Sequence, residues 1–305
     1  MNIKYINIIE FPSNLGLKKS EKEIEPGVKD LPNWLEKFEF HKKINPKKIY
    51  RIEPPMYSME LDIESGVRNA DNIVRYAIKQ SQLLLEKLKE DSFQIVIGGD
   101  CSILIGNAIA LKQAGDYGLF FLDGHTDFIT PELSVTAGAA GMDLAIVTGY
   151  GHKKLTDINN FSPYFQERNV FCVGNREYDP EYVQPILESD ISYYDLKKLR
   201  SNGLNKTANQ FLKLVRKNRL DGFWIHIDVD VLNDEIMPAV DSREKGGLTY
   251  QEFSELLKPL FSSKKAVGLE ITILDPSLDK EGKYTSEFVK HFLAIFEYGK
   301  TTHVD

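Results

Sequence analysis

Short apolar runs recur along the chain, each bounded by turn-forming or charged residues. FQIVIGG (93–99), YGLFFLDG (117–124), NVFCVGN (169–175), GFWIHIDVD (222–230) and AVGLEITILDP (266–276) have the length and near-continuous hydrophobicity of buried strands. MNIKYINIIEFPSN, at the start, reads as a further strand. Leu31, Trp34, Leu35 and Phe38 are spaced for an amphipathic helix. Ile63 to Lys89 repeats that period over a longer stretch, with Ile63, Val67, Ala70, Ile73, Val74, Ala77 and Ile78 on one side. SILIGNAIALKQ, TANQFLKLVRKN and TYQEFSELLKPLF add helices between the strands, and SEFVKHFLAIFEYG presents aromatic surface near the carboxyl terminus. Strands alternating with helices predict an α/β fold whose parallel sheet is covered on both faces. The Pro-containing stretch 42–55 reads as a loop, because too little chain precedes it to form its own core. A single domain over residues 1–305 is expected.

The 305 residues are 42% hydrophobic and 27% charged, the profile of an ordinary globular chain. A net charge of −7 argues against general affinity for nucleic acid or anionic membrane surfaces, which need clustered positive charge. No stretch approaches the roughly 18 uninterrupted apolar residues of a membrane span, and the amino terminus has no basic segment leading to a cleavage site. Cys101 and Cys172 are too few for a disulfide scaffold, so a reducing, cytoplasmic setting is expected.

Three strand ends carry residues that a buried strand would not select. VIGG runs into Asp100, Cys101 and Ser102; FFL into Asp123, His125 and Asp127; WIHI into Asp228 and Asp230. Ligands of open α/β sheets bind at the carboxyl ends of strands, where these clusters converge. Alternation places Asp123, His125 and Asp127 on one face of an extended segment, and likewise Asp228 and Asp230. Carboxylates facing one point repel unless a cation lies between them, so a divalent metal site is the economical reading. There is no Gly-x-Gly-x-x-Gly or Gly-Lys-Ser/Thr loop for a nucleotide. Gly98 and Gly99 read as a tight strand exit, and Ser102 as a helix cap or a support for the site.

GGDCS from Gly98, DGHTD from Asp123 and HIDVDVLND from His226 resemble the GGDHS, DAHxD and SxDxDxxDP blocks of the arginase and agmatinase (ureohydrolase) superfamily. GGLTY from Gly246, VGNREYDP from Val173 and LEITILDP from Leu269 resemble its further GGLT, GLRDVDP and LDIVEVNP blocks, in order, over roughly residues 93–276. The resemblance implies a three-layer α-β-α fold with a central, mainly parallel sheet, and two Mn2+ ions per chain. Carried over by position, Asp123 and Asp228 bridge the metals, His125 and Asp230 complete the second site, and Asp127 belongs to the first and hydrogen-bonds the nucleophile. It further implies a small amidino or guanidino substrate and a homo-oligomer, trimer or hexamer.

The departures concern the first metal and the substrate. Cys101 replaces the first-site histidine, and three outcomes stay open: a different divalent metal, a weak first site, or a small buried side chain that binds nothing. By position, Ala140 replaces a proton-shuttling histidine, Ile129 an asparagine, Thr136 a serine at the amino-acid end, and Ile273 a glutamate that faces the guanidinium. Glu177 and Asp179 match the substrate-amine stretch, with helix capping as the other role for Asp179, and Glu270 matches an acidic position behind the ligands. His152 and His226 are candidate replacement proton carriers. The expected activity is cleavage of a C–N bond in a guanidino, hydroxyguanidino or other amidino compound by metal-activated hydroxide. The alternative is a degenerate, non-catalytic relative with a structural or regulatory role. A deacetylase-like zinc enzyme is disfavoured, since no His-His pair precedes the DGHTD block.

Overall fold

A computed structural model describes residues 5–20, 22 and 24–301. Eight strands form one sheet: β1 (Tyr5–Glu10), β2 (Lys48–Arg51), β3 (Ser92–Ile97), β4 (Tyr117–Leu122), β5 (Val170–Val173), β6 (Ser192–Tyr194), β7 (Gly222–Asp228) and β8 (Ala266–Thr272). They run parallel in the order β2-β1-β3-β8-β7-β4-β5-β6. The four strands whose ends carry the candidate chemistry or the block around Glu270 are therefore consecutive neighbours at the centre of the sheet.

The alternation of a strand buried on both sides sorts its side chains into two cores. On β7, Phe223, Ile225 and Ile227 join the core that contains Phe211, Phe253 and Phe292, from helices Leu204–Lys217, Tyr250–Ser262 and Lys283–Thr301. Trp224 faces the other core, with Tyr76 and Leu104 from helices Ala70–Leu88 and Ile103–Ala114. The expected three-layer α-β-α arrangement is what the structure has.

Two expectations need correction. The long helix starts at Ala70, not Ile63. Residues before it turn back on themselves through Gly66 at φ +70 and a bridge between Leu61 and Arg68, which leaves Ile63 96% exposed. The stretch 42–55 is not wholly loop, since β2 adds a four-residue strand to the edge of β1. Among the described residues no helix is long and apolar enough to cross a membrane.

The carboxyl-terminal helix is an integral wall of one core. Phe292 is fully buried, with ring centroids 5.5 Å from Phe40 and 5.9 Å from Phe261. Phe292→Ala should cost about 3–5 kcal/mol of unfolding free energy in urea denaturation, because it leaves a cavity among rings that cannot all collapse inward. A loss within the range of a surface substitution would contradict this packing.

Candidate metal centre

The exit from β3 is tight for a steric reason. A Cβ on Gly99 would lie 1.7 Å from the carbonyl oxygen of Ser13, so only glycine lets the two backbones pass. The Asp100 N–H then donates to that carbonyl at 3.1 Å, and the Ile273 N–H donates to Gly99 O at 2.7 Å, which ties the β3 exit to the β8 exit. Cys101 is thereby held in the interior, 1% exposed. The Ser102 side chain makes no capping bond; the Asp100 carboxylate accepts the Ser102 N–H at 2.9 Å instead.

Three of the carboxylates have one oxygen anchored by backbone. Asp123 Oδ1 accepts the His125 N–H at 2.6 Å, Asp228 Oδ1 the Asp230 N–H at 2.8 Å, and Asp230 Oδ1 the Gly124 N–H at 2.9 Å. The second oxygens point inward. Asp230 Oδ2 lies 2.8 Å from His125 Nδ1, and Asp228 Oδ2 is 3.0 Å from Cys101 Sγ. Asp123 Oδ2 is buried with no hydrogen-bond partner.

The donors form two groups, in each of which the ligand atoms lie within 4.8 Å of one another: Cys101, Asp123, His226 and Asp228, and then Asp123, His125 and Asp230. Asp123 belongs to both. Asp228 falls in the first only, and Asp127 in neither, although it lines the cleft above them. Sequence reading missed His226 as a group member, although its even spacing from Asp228 along β7 was the signal for a shared face. It also missed Asp143, fully buried with Oδ2 unpartnered, whose only mark in the sequence is a charge inside the apolar run MDLAIV.

Proton affinities record the crowding. Burial, then the neighbouring carboxylates, raises Asp123, and does so more strongly for Asp127 and Asp228. Burial alone would lower His125, but Asp230 and Asp123 push it up to about 10. Burial likewise opposes the charged form of His226, which the nearby carboxylates of Asp123 and Glu270 bring to about 10. Burial would raise Asp230, yet His125 and the Gly124 N–H hold it below its ordinary value. The Cys101 thiol is pushed well up by burial and then by Asp228.

A cleft of about 180 Å³ opens over these groups. Its wall includes Cys101, Ile129, Thr136, Ala140 and Ile273, so the departures from the family blocks gather in one place. Glu177 also lines it, accepting the Thr126 N–H at 2.7 Å. Asp179 is exposed, caps helix Pro180–Leu187 by accepting the Glu181 N–H at 2.9 Å, and is not among the lining residues. His152 caps helix Lys153–Thr156 and is likewise absent from that lining. Glu270 is fully buried beneath His226. Inward-facing carboxylates and imidazoles, including the unpartnered Asp123 Oδ2 and His226 Nε2, fit divalent cations of the oxygen- and nitrogen-preferring kind.

A parallel α/β sheet with such donor groups at the ends of its central strands defines the class of protein. The arginase family model matches residues 36–296, and the chain belongs to the arginase family. It is 26% identical over 303 residues to an arginase of Staphylococcus aureus (strain MRSA252), covering 98% of each chain. To the arginase of Bacillus subtilis (strain 168) it is 26% identical over 298 residues, covering 95% of this chain and 98% of that one. The solved arginase of Bacillus caldovelox superposes with a TM-score of 0.84 at 26% identity, over 96% of this chain and 98% of that one. The formimidoylglutamase of Bacillus subtilis shares the fold, with a TM-score of 0.71 at 19% identity over 99% and 89% of the two chains.

A cation entering this site has to displace protons held by the imidazoles and raised carboxylates. Manganese titrated calorimetrically into metal-free protein, in two neutral buffers of different ionisation enthalpy, should therefore report net proton release, and affinity should rise with pH. Affinity that is flat or falls from about pH 6 to about pH 8 would contradict these protonation states.

Proposed function

We propose that this protein is a metal-dependent hydrolase that cleaves a carbon–nitrogen bond of a guanidino, hydroxyguanidino or other amidino compound. The observation that carries the proposal is the pair of donor groups sharing Asp123 at the floor of a cleft. Two divalent cations, Mn2+ in this reading, would be held by Asp123, His125 and Asp230 on one side and by the group around Asp228 on the other. When bound, such cations lower the pKa of water and stabilise negative charge that develops on the substrate.

The chain's own residues supply positioning and proton movement. Asp127 sits on the cleft wall with its carboxyl raised, first by burial and then by Asp123, which suits it to take a proton from water and return it to the departing amine. Among the described residues no Lys or Arg lines the cleft, whereas Asp127 and Glu177 do, which favours a cationic amidine over a substrate that needs its carboxylate paired. Thr136 offers a hydroxyl at the rim. Because Asp179 already caps a helix, Glu177 takes the amine-facing place in this proposal.

Ile273 presents an apolar surface where a carboxylate would grip an unmodified guanidinium. The expected substrate therefore has an altered amidino group, such as an N-hydroxyguanidine or a formimino compound, in a cytoplasmic enzyme that self-associates as a trimer or hexamer.

With manganese supplied, N-hydroxyguanidino and formimino compounds should be turned over faster than arginine or agmatine in a product-release assay. Much faster hydrolysis of arginine or agmatine would overturn this specificity. Asp228→Ala should abolish turnover and lower the metal content measured by elemental mass spectrometry, and unchanged metal content would remove Asp228 from the site.

A further inference from the structure

Two departures from the family blocks occur together. Where GGDHS has its histidine the chain has Cys101, and where SxDxD has its small serine the chain has His226. We propose that this is a positional exchange, in which His226 on β7 supplies the imidazole that the β3 exit has lost and ligates the first cation through Nε2. The inference rests on the metal-dependent reading above and names a ligand for it.

The geometry is that of a prepared ligand. Nδ1 of His226 lies 2.6 Å from Glu270 Oε1, across the β7–β8 pair in which the two residues are register partners. Glu270 is held in turn through its other oxygen by Asn107 Nδ2. A ligating histidine characteristically donates its second ring nitrogen to a carboxylate, which fixes the tautomer and turns the remaining lone pair to the metal. Phe121, the register partner on β4, stacks on the imidazole at 4.4 Å and 5°, so the ring cannot rotate away.

Nε2 is then left facing the cluster. It is fully buried and has no hydrogen-bond partner, and the nearest carboxylate oxygen, Asp123 Oδ2 at 3.8 Å, has none either. Two such buried atoms are costly when left unsatisfied, and a cation between them satisfies both. A proton-carrier role fits less well, because His226 does not line the cleft. Cys101 belongs to the same donor group, but its Sγ is already engaged, 3.0 Å from Asp228 Oδ2 and 3.1 Å from Thr272 Oγ1. In this arrangement the small cysteine leaves the space that the larger residue on β7 fills.

The test uses the full chain, stripped with a chelator and reloaded with Mn2+ alone. Metal per chain is read by elemental mass spectrometry and affinity by calorimetry. Wild type should take up two ions, and His226→Gln should keep the ion at Asp123, His125 and Asp230 while losing the other. Glu270→Gln, which keeps the side-chain length but removes the orienting charge, should weaken one site about 10–100-fold and leave the second unchanged. Two ions of unchanged affinity in His226→Gln would overturn the exchange and leave the hydrolase reading standing. Should His226→Gln fail to fold, undiminished affinity at both sites in Glu270→Gln would overturn it equally. Wild type that takes up no metal would defeat the hydrolase reading itself.

Discussion

Mutual repulsion among Asp123, Asp127, Asp228 and Asp230 is the constraint on which this architecture turns. Two carboxylates about 4 Å apart repel by roughly 4 kcal/mol at an effective dielectric near 20, and folded domains are stable by only about 5–15 kcal/mol. Several such pairs cannot stay ionised together beneath a protein surface. Protons offset part of the repulsion: the carboxyls of Asp127 and Asp228 are raised, and His125 and His226 are pushed towards the charged form against their burial. Cations would answer it better, because they would satisfy Asp123 Oδ2 and His226 Nε2, which have no hydrogen-bond partner.

The sheet makes that concentration of charge possible. Consecutive placement of β3, β8, β7 and β4 brings four strand exits together, and backbone N–H groups hold one oxygen of each of three carboxylates before any cation arrives. Strain accumulates at the same rim. Asp127 lies at φ 45, and Ile273, a β-branched residue, at φ 73, conformations that cost on the order of 1–3 kcal/mol each. The bond from the Ile273 N–H to Gly99 O is one of the restraints that keep this backbone in place.

Much of this could be read from the chain, for identifiable reasons. The five apolar runs became β3, β4, β5, β7 and β8, because strands buried on both faces leave an uninterrupted apolar signature. β2 and β6 were missed, being four- and three-residue edge strands with too few positions to show a pattern. Asp123, His125 and Asp230 come together from two strand ends, whereas Asp127, which alternation places on one face with Asp123 and His125, falls outside both donor groups. From the sequence His226 reads as a proton carrier or a structural histidine, because its even spacing from Asp228 marks a shared face but not the atom it meets there. Its role depends on Glu270, 44 residues away, and on the stacking of Phe121, and neither contact is visible in a local pattern. Asp143 is marked only as a charge inside an apolar run, and its electrostatic interaction with Asp123 and His226 arises only in the folded chain.

The claim beneath all of this is that the carboxylate cluster is a binuclear cation site. Crystals grown with manganese and measured on both sides of its absorption edge test it most directly. The account predicts two anomalous peaks between the ends of β4 and β7, both in contact with Asp123 and one within bonding distance of His226 Nε2. Well-ordered crystals that show no peak at these strand ends would contradict it.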